Sequence, residues 1–292
     1  MRIGVHPNNI HLALAERWPG ALASLDPVFV PYAEGRDSAA LLRDGTIDLC
    51  GTGSTPPIAA EAAGLDVAYV AASSPRPANG GILVAPDGRA RAVAIRSVAD
   101  LRGRRVALID GSFHTYLLAK VLEGVGLSLS DVVRVELSPG ASLRALDDGE
   151  VDAWVAMAPL LDQALAAGRA HLLAPCGATI PNRSVFWTLG ERGLSGRDVA
   201  QIAAALAAFG DAIGAAPDRA ADLLAEGRLA GVDRAAWRRA IGSRDWRIVP
   251  ADAGLLAEQQ AEADTLARHG ALPHPVRLSG RIGPTPAPGA AA

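Results

Sequence analysis

Four short segments of the chain have the composition of anion-binding turns. Each follows an apolar run and precedes a helical pattern, and all but the last are rich in small or hydrogen-bonding residues. In open α/β sheets such turns lie beyond the carboxyl ends of the strands, where helix N-termini present unpaired N–H groups to an anion. Ordinary helix capping explains any single turn, but four together predict an anion site. The segments are His6–His11, Gly51–Pro57, Asp110–Thr115 and Met157–Pro159.

The predicted ligand contacts come from these turns and from one arginine. The Gly51–Pro57 turn lacks the Gly-Lys-Ser/Thr end of a nucleotide-binding loop, so its glycines and hydroxyls indicate oxyanion contact without a nucleotide. Arg183, in Pro181-Asn-Arg-Ser, could pair bidentately with an anionic ligand, although a surface arginine is the commoner case. The predicted contacts are Asn8, Asn9, His11, Thr52, Gly53, Ser54, Thr55, Gly111, Ser112, His114, Thr115, Met157 and Arg183.

Three histidines, His6, His11 and His114, fall in the same turns. Histidine can donate a hydrogen bond, act as a general base or bind a metal near neutral pH. No pair has the i, i+4 spacing of a helical metal site and no carboxylate accompanies them in a motif, so we predict no metal site. We also predict no cofactor. If the protein is an enzyme, we expect His114, His11 and Asn9 to carry the catalysis.

The elements that position these turns alternate between strand and helix through the first two thirds of the chain. Runs such as Arg2–Val5 and Arg105–Ile109 each open a unit of βαβ order, which predicts mostly parallel sheet. From Ser195 onward the pattern is almost purely helical. We expect the chain to cross between the two units near residues 82–86 and 183–189, which places a cleft between two lobes and suits hinge closure on a ligand.

The predicted lobes are discontinuous in sequence. Residues 1–84 plus 188–282 form the first lobe, and residues 85–187 form the second. Residues 283–292 are rich in Pro, Gly and Ala and are predicted to be a disordered tail.

Composition narrows the choice of partners. The formal net charge of -3 and the scattered arginines provide no basic field, so no nucleic-acid partner is expected. No apolar run reaches the roughly 18 to 20 residues of a membrane span. No signal-peptide pattern precedes the first strand, so the protein is expected in the cytoplasm as written, or in the periplasm or on a lipid anchor if a signal was removed or missed. Cys50 and Cys176 are expected to be small core residues, and the protein is expected to be a monomer.

Several short stretches carry a family resemblance: Arg2-Ile-Gly-Val, Gly45-Thr-Ile-Asp-Leu with Thr52-Gly and Pro56-Pro-Ile, Ser97-Val-Ala-Asp-Leu-Arg-Gly with Val106-Ala, Gly111-Ser, and Val151-Asp-Ala-Trp before Pro159. By these stretches the chain resembles the aliphatic-sulfonate-binding proteins of ABC importers, within the broader nitrate, taurine and pyrimidine-precursor group. The resemblance covers roughly residues 2 to 280. It implies an α/β, two-lobed, type II periplasmic-binding-protein-like fold with mixed, mostly parallel sheets and a C-terminal helical segment.

The resemblance also implies a ligand and a partner. The turns at Asn8–His11, Thr52–Thr55 and Ser112–Thr115 would hold a sulfonate or another small organic anion, and the Asp152–Pro159 segment would close from the second lobe. An ABC permease would be the partner if the protein is exported. Sulfonate binders commonly have an acidic residue before the proline of the last segment, whereas this chain has Ala158. We therefore expect the non-anionic end of the ligand to be more apolar.

A cytoplasmic enzyme on the same fold is the alternative, because aromatic-sulfinate desulfinases, chorismate dehydratase and thiamine-pyrimidine synthases share it. A desulfinase would need a cysteine in the first turn, which here reads His6-Pro-Asn-Asn-Ile-His. A pyridoxal-dependent synthase would need a lysine, and the single lysine, Lys120, lies inside a predicted helix. A lyase or dehydratase that uses the histidines and asparagines of the turns stays open.

Overall fold

The computed structural model describes residues 1–86, 95–177, 179–226, 232–278 and 280–282. Its strands are β1 (Arg2–Val5), β2 (Val28–Pro31), β3 (Leu49–Thr52), β4 (Val67–Ser73), β5 (Gly80–Val84), β6 (Arg105–Leu108), β7 (Val133–Glu136), β8 (Ala153–Met157), β9 (His171–Pro175), β10 (Val185–Leu189), β11 (Ile248–Pro250) and β12 (Arg281–Ile282). Its α-helices are α1 (Ile10–Ala15), α2 (Ser38–Arg43), α3 (Thr55–Ala62), α4 (Phe113–Glu123), α5 (Pro139–Asp147), α6 (Leu160–Ala166), α7 (Gly196–Ala215), α8 (Pro217–Ala225), α9 (Arg234–Gly242) and α10 (Ala253–Arg268). The predicted tail at 283–292 lies outside the described residues.

The strands form two separate sheets, which confirms the predicted two-lobed α/β fold. The first sheet has the order β11-β4-β10-β3-β1-β2, with β12 also paired to β4. The second has the order β7-β6-β8-β5-β9. Each sheet contains a parallel βαβ part, in which β1 pairs with β2 and β3, and β6 pairs with β7 and β8.

Antiparallel pairing is more extensive than the alternating pattern predicts. Strand β5 runs antiparallel to β8 and β9, and β10 runs antiparallel to β3 and β4. These two strands are the first that the chain enters after each crossing between the sheets, so they do not arrive through a right-handed βαβ connection. Parallel pairing therefore dominates only within the βαβ units.

The crossings lie earlier than the sequence predicts. The chain leaves the first sheet after Ser73 and enters the second at Gly80, and it returns between Pro175 and Val185. The predicted boundaries need a correction, because β5 was assigned to the first lobe and residues 185–187 to the second. Both crossings contain proline, which lacks an N–H and interrupts the pairing of a sheet. The backbone N–H of Ser73 donates to the carbonyl of Ser184 at 2.9 Å, so the two crossings run side by side.

Helix α10 packs against both lobes on the side of the crossings. It contacts α3, which follows a strand of the first sheet, and α4, which follows a strand of the second. Ile58 of α3, Leu117 of α4 and Leu266 of α10 belong to one buried apolar cluster. The C-terminal segment therefore contributes to the packing of both lobes.

Helix α7 is long and apolar enough, by length and composition alone, to cross a membrane. This differs from the sequence-based expectation that no segment reaches that limit. Its buried residues include Val199, Ile202, Leu206, Phe209 and Ile213, which recur at three- and four-residue intervals. The helix contacts β4 and β11, so one stripe of it covers the first sheet, as expected for a core helix.

Candidate functional site

A cleft of about 600 Å³ lies between the carboxyl ends of strands from both sheets. Three of the four predicted turns line it, together with the end of β8 and the two crossings. Of the predicted contacts, the cleft brings together Asn8, Asn9, Thr52, Gly53, Gly111, Ser112, His114 and Met157.

The turn between β1 and α1 places Asn9 at the start of the helix. The Asn9 side-chain oxygen accepts a hydrogen bond from the backbone N–H of Leu12 at 3.0 Å, which caps α1. Its amide nitrogen is therefore the free end, and this buried Nδ2 has no hydrogen-bond partner among the described residues. A β-carbon at Gly51 would lie only 2.7 Å from it, so the glycine allows the side chain to lie against β3. Asn9 presents a donor that needs an acceptor.

His6 directly follows β1, and its tautomer is set by the backbone of β3. Its Nε2 lies 3.1 Å from the carbonyl oxygen of Gly51, which can only accept, so Nε2 carries the proton. Burial lowers the pKa of His6 to about 4, and the ring is therefore neutral at pH 7. Its Nδ1 is then an unprotonated acceptor.

The turn between β3 and α3 contributes mainly shape to the cleft. The Thr52 hydroxyl donates to the carbonyl of Gly53 at 2.7 Å and accepts from the indole of Trp187 at 2.9 Å. Its hydrogen-bonding capacity is thus largely used within the protein.

The turn between β6 and α4 presents a second histidine in the same Nε2–H tautomer, but here the protonated nitrogen is the one left without a partner. The backbone N–H of Ile109 donates to His114 Nδ1 at 3.1 Å, so the ring proton resides on Nε2. This Nε2 is buried and has no partner in the part of the chain that the structure describes. Burial lowers the pKa of His114 to about 3, which keeps the ring neutral. His114 therefore offers a neutral N–H donor from the second lobe.

Hydrogen bonds within this third turn hold its shape. Ser112 caps α4, because its hydroxyl accepts from the backbone N–H of His114 at 3.2 Å and donates to the carbonyl of Ile109 at 2.7 Å. Asp110 accepts from Arg134 at 2.6 Å and from the Thr115 hydroxyl at 2.7 Å. The carboxylate is consequently neutralised at the rim of the cleft.

Arg76 is the buried cation of the cleft. It lies on the first crossing, is 5% exposed, and lines the cleft beside Ser184 of the second crossing. Its Nε donates to the carbonyl of Asn182 at 2.7 Å, and its Nη2 donates to the side-chain oxygen of Asn182 at 2.8 Å. No carboxylate lies within ion-pair distance of it among the described residues. Burial lowers its pKa to about 10, so the guanidinium stays charged at pH 7 without a counter-charge.

Arg244 adds a second positive charge close to Arg76. Burial and the charge of Arg76 lower the pKa of Arg244 to about 9. Its guanidinium donates to the side-chain oxygen of Asn79 on the first crossing, while its buried Nε has no partner in the described ranges. Arg244 itself does not line the cleft, and the nearby carboxylate of Asp162 opposes the lowering of its pKa, so Arg76 is the buried cation of the cleft lining that has no acidic partner among the described residues.

Five predicted contacts lie outside the cleft lining, and their surroundings explain why. His11 is enclosed between the rings of Phe186 and Trp246, with centroids 5.7 and 4.9 Å away. The Thr55 hydroxyl donates to buried Glu262 at 2.5 Å. Ser54 and Arg183 line a separate small cavity beneath α10, and Thr115 supports the third turn through Asp110.

The described geometry does not favour proton transfer by the residues predicted for catalysis. His114 has its unprotonated nitrogen occupied by a backbone N–H, and His11 lies away from the cleft. Asn9 has no titratable proton. Cys50, in β3, is fully buried, and burial raises the pKa of its thiol. A general base would need a free lone pair at the reacting atom, and none of the residues predicted for catalysis places one in the cleft.

The sequence of the chain matches a known protein family. Residues 23–172 match the family described as NMT1/THI5 like. The chain belongs to this family. This NMT1/THI5-like chain is also similar to a protein of Escherichia coli (strain K12) described as aliphatic sulfonates-binding. The two sequences are 33% identical over 219 residues. That match covers 73% of this chain and 65% of the length of the relative.

Two solved structures extend the similarity over almost the whole chain. The alkanesulfonate-binding protein SsuA of Xanthomonas axonopodis pv. citri, bound to MOPS, is 30% identical with a TM-score of 0.82, and the match covers 94% of this chain and 95% of that one. The periplasmic aliphatic sulphonate binding protein SsuA of Escherichia coli is 29% identical with a TM-score of 0.84, and the match covers 97% of both chains. The NMT1/THI5-like chain thus shares the two-lobed architecture of both.

Several residues that line the cleft of this NMT1/THI5-like protein are absent from the contacts predicted from the sequence. The most important is Arg76, whose available signal was its position between Pro75 and Pro77 in a segment that links two βαβ units. The other additional lining residues are His6, Glu34, Gly35, Arg36, Pro56, Ile109, Asp110, Phe113 and Ser184.

Proposed function

We propose that the cleft binds a small organic anion of the sulfonate class and that the protein is a solute-binding protein of the ABC-transporter type. The observation that carries this proposal is the buried guanidinium of Arg76, which has no acidic partner among the described residues. An isolated charge inside a protein costs several kcal/mol, to an order of magnitude, unless a counter-charge compensates it. A bound anion would supply that compensation.

The neutral donors around the cleft favour a head group with several oxygens. Asn9 Nδ2 comes from the first lobe and His114 Nε2–H from the second, while Arg76 comes from the crossing between them. A sulfonate has three equivalent oxygens and can accept from all three directions, whereas a carboxylate has two oxygens in one plane. The sulfonate-binding relatives described above support the same choice.

Binding from both walls would couple ligand uptake to closure of the lobes. A donor on each lobe can be satisfied at once only when the cleft is closed on the anion. A closed, loaded form is what a solute-binding protein delivers to its permease. On this proposal an ABC permease is the partner, and the site of action is the periplasm, where the Escherichia coli structural relative is found.

Isothermal titration calorimetry with ethanesulfonate and propionate tests the proposal, because the two anions share an ethyl group and differ in the head. We expect ethanesulfonate to bind at least tenfold more tightly than propionate. A ligand at about a hundred times its Kd should also raise the Tm by about 5 °C or more. Equal affinities, or no binding of ethanesulfonate, would contradict the proposal.

A further inference from the structure

The unprotonated nitrogen of His6 differs from the unpartnered donors that line the cleft. Arg76, Asn9 Nδ2 and His114 Nε2 can donate hydrogen bonds, whereas His6 Nδ1 can only accept one, because the ring proton lies on Nε2. His6 is 5% exposed and lines the cleft, and its Nδ1 has no partner among the described residues.

The neighbours of His6 fix the ring and leave this acceptor open. The ring packs against Tyr32, with centroids 5.4 Å apart. A β-carbon at Gly35 would come within 3.3 Å of His6 Nε2, so only glycine leaves room on that side without a shift. The Thr52 hydroxyl already donates to Gly53, and the Tyr32 hydroxyl is bonded to Ser38 at 2.7 Å. No described residue therefore donates to this acceptor.

A simple sulfonate cannot provide that donor. Its oxygens only accept, and an alkyl tail has no polar hydrogen. A buried acceptor left without a partner costs about 1–3 kcal/mol. An ammonium group could also donate to this nitrogen, but it would bring a second cation into the cleft when the single sulfonate charge is already matched by Arg76, so a neutral hydroxyl is the better match.

We propose that the ligand is an organosulfonate that carries a hydroxyl group, and that this hydroxyl donates a hydrogen bond to His6 Nδ1. The inference rests on the proposed function and narrows its substrate class. The sulfonate would satisfy the unpartnered donors of the cleft, and the hydroxyl would satisfy the unpartnered acceptor of His6. Discrimination would follow the rule that a site built to bond a hydroxyl rejects the analogue that lacks it.

Matched ligand pairs test this inference by calorimetry. Isethionate and propane-1-sulfonate differ in a hydroxyl against a methyl group, and 3-hydroxypropane-1-sulfonate and butane-1-sulfonate repeat the comparison at a longer reach. We expect the hydroxylated member of at least one pair to bind about tenfold or more tightly, the ratio that corresponds to about 1.4 kcal/mol. Equal affinities within both pairs would overturn the inference but leave the proposed function standing. Failure of all four sulfonates to bind would overturn the proposed function itself.

Two substitutions of His6 separate the acceptor from the rest of the ring. In His6→Gln the amide can still donate to Gly51 but the acceptor at the Nδ1 position is lost, so the preference for the hydroxylated ligand should disappear. In His6→Asn the side-chain oxygen can replace Nδ1, so part of the preference should return. A preference that survives unchanged in His6→Gln would overturn the inference. In ¹⁵N-histidine-labelled wild type, the His6 Nδ1 resonance should move upfield with isethionate, and no movement would count equally against it.

Discussion

The two crossings between the lobes each contain one arginine, and the two arginines have opposite surroundings. Arg183, on the second crossing, forms a two-pronged ion pair with Glu258 of α10, at 2.7 and 2.9 Å, and donates to the carbonyl of Ser73 at 2.9 Å. Arg76, on the first crossing, is more deeply buried and donates hydrogen bonds to Asn182, but it has no carboxylate within ion-pair distance in the described part of the chain. The charge of Arg183 is compensated within the fold, whereas on the proposed function that of Arg76 is compensated by the ligand.

This difference shows why residue type alone does not identify the anion-binding arginine. An ion pair that can form inside the chain removes an arginine from the binding site, whereas a buried guanidinium without an acid has its burial cost uncompensated until an anion arrives. Burial without a counter-charge is therefore the stronger indication of a binding role.

Replacement of each arginine in turn should show that Arg76 serves ligand binding and that Arg183 serves the fold, and this is the largest effect we expect. In Arg76→Met, we expect the affinity for ethanesulfonate to fall about a hundredfold or more, because a buried charged partner of the anion is removed. In Arg183→Met, the affinity should change by less than about threefold, since Arg183 lies outside the cleft lining. Isothermal titration calorimetry on both variants measures the two affinities for ethanesulfonate.

The stability of the same variants provides the control. Arg183→Met breaks a partly exposed ion pair, which costs about 1 kcal/mol or less, and its thermal unfolding should shift only slightly. Circular dichroism would verify that Arg76→Met remains folded. Equal losses of affinity in the two variants would remove the distinction between the crossings.

Most of the architecture follows from local sequence patterns. The βαβ units, the glycine-rich turns and the capping residues Asn9 and Ser112 are local signals, and the structure bears out the predicted two lobes. Strand β11 was missed inside the segment read as helical, because three residues cannot establish a period and only pairing with β4 makes them a strand. The lobe boundaries were displaced because a strand that follows a crossing looks the same in sequence whichever sheet it joins.

The candidate site was harder to predict because it depends on distant pairing. Glu258, which occupies Arg183, lies 75 residues further along the chain. The tautomers of His6 and His114 are set by the backbone of Gly51 and Ile109, and only the folded geometry reveals which nitrogen remains free. The turns could thus be located from sequence, whereas the roles of their side chains could not.

The region of the second crossing also contains a buried acid, Glu262, which has no counterpart described at the first crossing. Its ionisation should make the stability of the protein depend on pH. Glu262 lines the small cavity that includes Arg183 and Glu258, and burial raises its pKa to about 7. The unfolded state releases this proton near pH 4.5, so between about pH 4.5 and 7 the folded state binds more protons and its stability falls as pH rises. The slope is at most about 1.4 kcal/mol per pH unit.

The substitution Glu262→Gln should remove this contribution while keeping an acceptor for the Thr55 hydroxyl. The free energy of unfolding of the variant, relative to wild type, should therefore increase progressively from pH 5 to pH 7, and urea unfolding at several pH values measures it. The buried histidines have lowered pKa values and produce the opposite slope, with stability lost as pH falls below 6.5. Both proteins share that background, so the difference isolates Glu262. Parallel curves would show that Glu262 ionises normally.

The smallest expected effect concerns an ion pair across the mouth of the cleft. Arg36 Nη1 of the first lobe lies 2.5 Å from Glu136 Oε1 of the second lobe, and both side chains are about half exposed. Such a pair contributes about 0.2–1 kcal/mol and is screened by salt. If it stabilises only the closed form, Arg36→Ala and Glu136→Ala should each weaken ethanesulfonate binding by about two- to threefold at low salt, and this loss should shrink at high salt. If instead Arg36 contacts the ligand, Arg36→Ala alone would weaken binding, while Glu136→Ala would leave it unchanged or strengthen it. The affinities of the two variants for ethanesulfonate, measured at two salt concentrations, therefore distinguish two roles of Arg36. Either Arg36 binds the ligand together with Arg76, or its ion pair with Glu136 stabilises the closed form.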